Sequence, residues 1–202
     1  MNSESQTKSN YRWVILTLIW IVYFAFGLIL SSIPPLVTPI ANELNLTNSQ
    51  IGFMLGNVML AYIPLAIPIG VLIDRIGTRK STMIGITLIS LSGFLQSFAT
   101  NLETLSLFIL IFGMGGPFIS VGLSKVVASW FTGKERGTAS GIYLTGAFVG
   151  GATALAITNT LIMPLTGTWR NSLRFYGLLG FLIALIWLLL GREAKTHSAS
   201  ST

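Results

Sequence analysis

Residues 51–80 read IGFMLGNVMLAYIPLAIPIGVLIDRIGTRK. Ile51–Ile73 carries no charged side chain, whereas the next seven residues hold Asp74, Arg75, Arg79 and Lys80. An apolar run of about 20 residues, wound as a helix, matches the ~30 Å hydrocarbon core of a bilayer. Backbone polar groups meet no water there, so only helices or closed barrels cross it, and an unbroken rather than alternating run selects the helix. The charged cluster marks where the chain leaves the membrane. Just ahead, Thr47-Asn48-Ser49-Gln50 has the capping-box pattern, with Leu46 and Ile51 placed as a hydrophobic staple, which sets the start of this helix.

The same reading carried outward predicts spans at Trp13–Ile33, Ile51–Ile73, Thr82–Ala99, Thr104–Ser124, Thr138–Met163 and Phe175–Leu190. A polar segment, 1–12, precedes a bundle over 13–191, and a polar tail, 192–202, follows. Hydrophobic residues make up 52% of the 202 residues and charged ones 9%, too few for the charged shell of a soluble domain. The expected fold is an all-α membrane protein of six transmembrane helices, with the lipid bilayer as its surroundings.

The net charge of +6 is not spread as a nucleic-acid footprint. Lys8, Arg12, Arg75, Arg79, Lys80, Lys125, Lys134, Arg136, Arg192 and Lys195 fall on one side of a six-span chain. Only Arg170 and Arg174 fall on the other, with Glu43 and Glu103. Positive charge marks the inner side, so both termini are expected in the cytoplasm, with the plasma (inner) membrane as location and no nucleic-acid partner. The first span is too long for a secretory signal core and no small-residue cleavage site follows it, so it is expected to remain as a helix. Asn45-Leu46-Thr47 has the form of a glycosylation acceptor, but a helix start accounts for it better.

The chain has no Cys, and its one His, His197, lies in the polar tail. Thiolate chemistry, disulfides and an imidazole within the membrane are thereby excluded. With no acid pair inside the spans, neither an enzyme nor a metal or cofactor site is expected.

Small residues recur at helix-contact spacing: Gly52 with Gly56, Gly137 with Gly141, Gly146 with Gly150, and the cluster Gly113, Gly115 and Gly116. Lipid gives helices no hydrophobic reason to associate, so close backbone approach drives packing, and the second, fourth and fifth spans are expected to touch most closely. Pro34-Pro35 is expected to end the first helix, and Pro64, Pro68 and Pro117 to bend the second and fourth. Gly70–Lys80 and Gly167–Arg174 are short basic connections on opposite sides, as a 3+3 inverted repeat requires.

The run Gly70-Val71-Leu72-Ile73-Asp74-Arg75-Ile76-Gly77-Thr78-Arg79-Lys80 resembles the G-x-L-x-D-R-x-G-R-[RK] signature of the major facilitator superfamily, in the loop where that family carries it. Thr78 stands where an Arg is usual. Ala128–Gly141, with Trp130, Phe131, Glu135, Arg136 and Gly137, resembles the family's segment between its fourth and fifth helices. Gly167-Thr168-Trp169-Arg170 with Phe175 and Gly177 resembles its entry to the sixth, with Thr168 inserted. The resemblance implies the N-terminal six-helix half of a twelve-helix, alternating-access carrier of a small solute. It implies a conformational latch at Gly70, Asp74, Arg75, Gly77, Arg79, Glu135 and Arg136, in which Asp74 holds this half against a second six-helix half, from the same or a separate chain. Gly70 is expected to admit a neighbouring helix, Glu135 and Arg136 to pair with Arg79 or Asp74, and Trp130 and Phe131 to sit at the membrane interface.

Ile109 occupies the place of an Arg common early in the family's fourth helix, and Gly146-Ala147-Phe148-Val149-Gly150-Gly151 lacks the Pro of the antiporter motif. No antiport is assigned. Lys125, the one membrane-adjacent basic residue on the fourth span, is either a relay or a side chain reaching to the interface. By analogy the substrate path takes in Tyr23, Asn57, Tyr62, Ser120, Tyr143 and Thr145, the alternative for each being an interhelical hydrogen bond. Tyr11-Arg12-Trp13 and Pro34-Pro35 resemble carriers of organic or inorganic anions. The rival readings are a structural or regulatory membrane protein without transport, and an inactive fragment.

Overall fold

A computed structural model describes residues 3–194; Lys195 and His197 lie outside the described residues. The described chain is helical throughout: α1 (Ser3–Leu30), a 3-10 turn (Pro34–Leu36), α2 (Val37–Leu44), α3 (Asn48–Ile76), α4 (Thr78–Gln96), α5 (Leu102–Trp130), α6 (Gly133–Ile157), a π turn (Thr158–Ile162), α7 (Met163–Thr166) and α8 (Trp169–Leu190).

Local chemistry accounts for the boundaries. α1 stops at Leu30, ahead of Pro34-Pro35, and the prolines open the 3-10 turn, where a missing N–H costs nothing. Asn45 ends α2 in the left-handed conformation, φ 53°. The capping box at α3 is formed: Thr47 Oγ1 accepts from Gln50 N, and Thr47 N donates to Gln50 Oε1 at 2.8 Å. A second box, formed by Asn101 and Thr104, starts α5. α3 runs unbroken through Pro64 and Pro68, as α5 does through Pro117. The predicted fifth span is interrupted by the π turn, whose Thr158 hydroxyl donates to Ala154 O and pairs with the Tyr176 hydroxyl. Pro164 follows the π turn and cannot donate to the carbonyl of Thr160.

Among the described residues, five stretches are long and apolar enough to cross a membrane: Tyr11–Leu44, Asn48–Ile76, Leu102–Trp130, Gly133–Thr166 and Trp169–Leu190. The predicted third span, α4, is not among them. Its first turn holds the exposed Arg79 and Lys80, and it carries Ser81, Thr82, Ser90, Ser92 and Gln96, these five all buried. These polar side chains point into the bundle. Ser90 Oγ donates to Ile86 O, Ser92 Oγ to Phe108 O, and Gln96 Nε2 to Ser92 Oγ.

The closest packing pairs α1 with α6, α5 with both α3 and α4, and α4 with α8. Of the expected trio of second, fourth and fifth spans, the second and fourth (α3 and α5) do pack closely, whereas the fifth, α6, lies on α1 instead. α6 lies on α1 because Gly146 and Gly150 face α1 backbone: a Cβ at Gly146 would stand 2.6 Å from Trp20 O, and one at Gly150 would collide with Phe24 O. Two predicted glycine contacts are absent. Gly52 and Gly56 on α3, and Gly137 and Gly141 on α6, have nothing within 4 Å of a built Cβ among the described residues. The large apolar side chains Phe53, Ile63, Ile67 and Phe148 are likewise exposed on these two helices.

Candidate functional site

Hydroxyl side chains from four helices meet near the middle of the bundle. Tyr62 on α3 bonds Ser120 on α5, O to O 2.7 Å. One turn further along α5, Ser124 Oγ bonds the hydroxyl of Tyr143 on α6 at 2.8 Å and donates to Ser120 O. The ring of Tyr23 on α1 lies 5.5 Å from that of Tyr143 and stacks on Phe26, which in turn packs on Phe112. Tyr143 is buried, Tyr23 and Tyr62 are half-buried, and Ser124 is exposed. The fit is tight, because a Cβ at Gly116 would stand 2.6 Å from the Tyr62 ring.

Four of the six predicted path residues, Tyr23, Tyr62, Ser120 and Tyr143, thus come together. Asn57 is buried on α3, outside this hydrogen-bonded chain. Thr145 turns to the α1–α6 seam, where it accepts from Trp20 Nε1 at 2.9 Å. Ser124, the end of the predicted fourth span, joins this group although sequence reasoning does not place it on the path; its i+4 spacing from Ser120 is the available signal.

At one end of the bundle the predicted latch residues form two groups. Gly77, φ 86°, makes the turn from α3 to α4. Asp74 pairs with Lys125 of α5, Nζ to Oδ1 2.5 Å, and the same ammonium donates to Gly70 O at 2.8 Å. Lys125 therefore bridges α5 to α3. A Cβ at Gly70 would find only Val121 Cγ1, at 4.0 Å, so Gly70 contributes its carbonyl rather than room for a helix.

Arg79 does not meet Glu135. Its guanidinium donates to Leu188 O, and its own carbonyl accepts from Trp187 Nε1. Glu193, which the sequence reading left in the polar tail, accepts from Thr78 N at 2.7 Å and from Arg79 N at 3.3 Å, and so caps α4. Glu135 pairs instead with Arg12, Nη1 to Oε2 2.6 Å, because α6 lies on α1 and the N-terminal part of α1 is what faces it. Arg75 and Arg136 are exposed or nearly so. Phe131, expected at the interface, is buried: the Trp13 ring packs against it, and the Arg12 guanidinium lies 5.9 Å from its centroid.

The opposite end repeats the pattern. Thr168, the residue inserted in the family-like segment, is the N-cap of α8 and accepts from Asn171 N. Arg170 donates to Ser97 O and Ala99 O, just past the end of α4, and pairs with Glu43, which also accepts from Trp169 Nε1. α4 and α8 thus run antiparallel, each with an Arg at its second residue bonded to carbonyls at the other's far end. Between them, a Cβ at Gly177 would stand 2.6 Å from Phe94 N.

Residues 19–202 match the model of the Major Facilitator Superfamily. The chain is 29% identical, over 98% of its length and 46% of the relative's, to a probable galactarate/D-glucarate transporter of Escherichia coli (strain K12). It is 33% identical, over 66% of its length and 25% of the relative's, to a nitrate/nitrite transporter of Picosynechococcus sp.. Among solved structures it resembles a bacterial homologue of the human lysosomal transporter Spinster, inward-facing and occupied. That likeness has a TM-score of 0.85 at 23% identity, over 93% of this chain and 46% of the other, and it bears on the fold alone. The chain spans about half the length of the relatives it matches. Five apolar helices and relatives that are transporters rather than enzymes make it an integral multi-pass membrane protein.

Proposed function

Since the chain belongs to the Major Facilitator Superfamily, we propose that it is the N-terminal six-helix half of a carrier that moves a small polar solute by alternating access. The observation that carries this reading is the Tyr62–Ser120 and Ser124–Tyr143 chain, which gathers polar groups from α3, α5 and α6 in one part-buried cluster. Buried hydroxyls between membrane helices are costly unless they pair with each other or with a passing solute.

In this reading α4 is the remaining crossing. At 19 residues it is about 28 Å long. It runs beside α8 from end to end, and its polar side chains are turned into the bundle: Ser90 and Gln96 bond within α4, and Ser92 reaches across to Phe108 O of α5. The reciprocal Arg79 and Arg170 contacts support a 3+3 inverted repeat, in which α1, α3 and α4 answer α5, α6 and α8. The end bearing Arg12, Arg75, Arg79, Lys80, Lys125, Lys134 and Arg136 is cytoplasmic by the positive-inside rule, in the plasma membrane.

A second six-helix half, from the same polypeptide or a separate one, covers the exposed faces of α3 and α6, where Gly52, Gly56, Gly137 and Gly141 leave room for close approach. Rocking of one half on the other makes and breaks contacts at Asp74, and Lys125 holds the carboxylate while the latch is open. The test is Asp74→Asn in the full-length protein. Uptake into vesicles should fall while expression and membrane insertion stay unchanged; unaltered uptake would remove the latch from the mechanism.

A further inference from the structure

We infer that the tyrosine cluster takes an uncharged, hydroxyl-bearing solute, a sugar or polyol, rather than a carboxylate or an inorganic oxyanion. The inference rests on the carrier reading above and narrows its substrate.

The first ground is the donor set. Tyr23, Tyr62, Tyr143, Ser120 and Ser124 present only hydroxyls; in the Tyr62–Ser120 pair either oxygen can be the donor, and Ser124, whose proton goes to Ser120 O, accepts from Tyr143. A hydroxyl donates one bond and accepts others, which complements a solute whose own hydroxyls do the same. A carboxylate or nitrate only accepts, and leaves the accepting half of this surface without partners.

The second ground is charge. The closest basic residue along α5 is Lys125, next to Ser124, and its ammonium is held by Asp74 Oδ1 and Gly70 O. Of the other basic residues at that end, Arg12 is paired with Glu135, and Arg79 is exposed at the α4–α8 junction, donating to Leu188 O. An anion drawn into the cluster would be desolvated with no counter-charge from this half, and an unpaired buried charge is far costlier than an unpaired hydroxyl.

The third ground is the rings. Tyr143, Tyr23, Phe26 and Phe112 pack in that order, ring against ring, beside the hydroxyl pairs. Aromatic faces carry partial negative charge, so they attract the C–H groups of a carbon skeleton and repel an anion. The relatives named for galactarate, D-glucarate and nitrate transport handle anions; the cluster in this chain is built for the uncharged counterpart.

Two matched pairs of probes test this. Galactitol and galactarate share a carbon skeleton and internal hydroxyls and differ only in neutral or charged ends; glucitol and D-glucarate do the same. Equilibrium binding of these four and of nitrate is measured on the purified full-length protein, a readout that does not depend on transport. At least one polyol should bind about 10-fold or more tightly than its diacid, and nitrate should not compete. Tyr62→Phe and Tyr143→Phe should each weaken that polyol about 10-fold without lowering the melting temperature by more than a few degrees. Tighter binding of a diacid or of nitrate would overturn the solute class and leave the carrier reading intact. Polyol binding untouched by both variants, or no binding by any probe, would overturn the site. Polyol binding without uptake into vesicles would instead remove the carrier reading and leave the inference standing.

Discussion

Replacing Glu193 by Ala removes the cap of α4 from a distance of more than a hundred residues. The N-cap position of α4 is Gly77, which has no side chain to offer, so Glu193 stands in: Oε1 accepts from Thr78 N at 2.7 Å and from Thr78 Oγ1 at 3.0 Å, and Oε2 accepts from Arg79 N at 3.3 Å. A side-chain cap contributes about 1 kcal/mol, and a negative charge at a helix N-terminus adds ~0.3–1 kcal/mol at an exposed site. Glu193 is exposed, so the sum is about 1–2 kcal/mol. For a chain of this size each kcal/mol moves the melting temperature by ~2–4 °C, which gives a drop of about 2–8 °C. Glu193→Gln keeps an acceptor oxygen but no charge and should lose roughly half as much, and added salt should narrow its gap from the parent. Tryptophan fluorescence of the detergent-solubilised protein is a suitable readout, because Trp187 donates to Arg79 O at the same junction. An Ala variant that melts within about 1 °C of the parent would show that α4 starts without this carboxylate.

Gly150→Val places a branched side chain against Phe24 O, so α6 must move off α1. The expected cost is about 1–3 kcal/mol or more, read as a lower melting temperature, whereas Gly137→Val, which has open space, should be silent in this half. Because the chain has no Cys, Gln50→Cys and Lys80→Cys give clean accessibility probes for topology. They should label from opposite sides of the membrane, and labelling from one side alone would remove α3 as a crossing. Lys125→Met should change stability by no more than ~1 kcal/mol, since Asp74 is largely exposed and an exposed pair contributes little.

Much of the fold was legible because bilayer burial is written into composition. Uncharged runs such as Ile51–Ile73 leave the backbone little choice but helix, and the Thr47–Gln50 box marks its start by chemistry local to four residues. The short polar helix α4 was harder. Its Ser90, Ser92 and Gln96 lower its apolar content, and only the neighbours α5 and α8 reveal that those side chains are sheltered. The start of α8 was placed late, at Phe175, because Arg170 and Arg174 read as loop; in the structure both guanidinium groups reach sideways to the end of α4.

The candidate site divides along the same line. Residue type and position along each helix were enough to single out Tyr23, Tyr62, Ser120 and Tyr143, and equally suggested Asn57 and Thr145, which the structure does not join to them. A helical sequence states which residues share a face but not which face meets which neighbour. That choice depends on where backbones can touch, as Gly146 and Gly150 touch α1 while Gly52 and Gly137 touch nothing in this half. The presence of long apolar helices, the Thr47–Gln50 cap and the family-like loop were therefore determined by sequence alone. The partners of Glu135, Asp74, Arg79 and Glu193 were decided only by packing, because each ion pair or cap joins residues that lie far apart in the chain and meet through the pairing of helices.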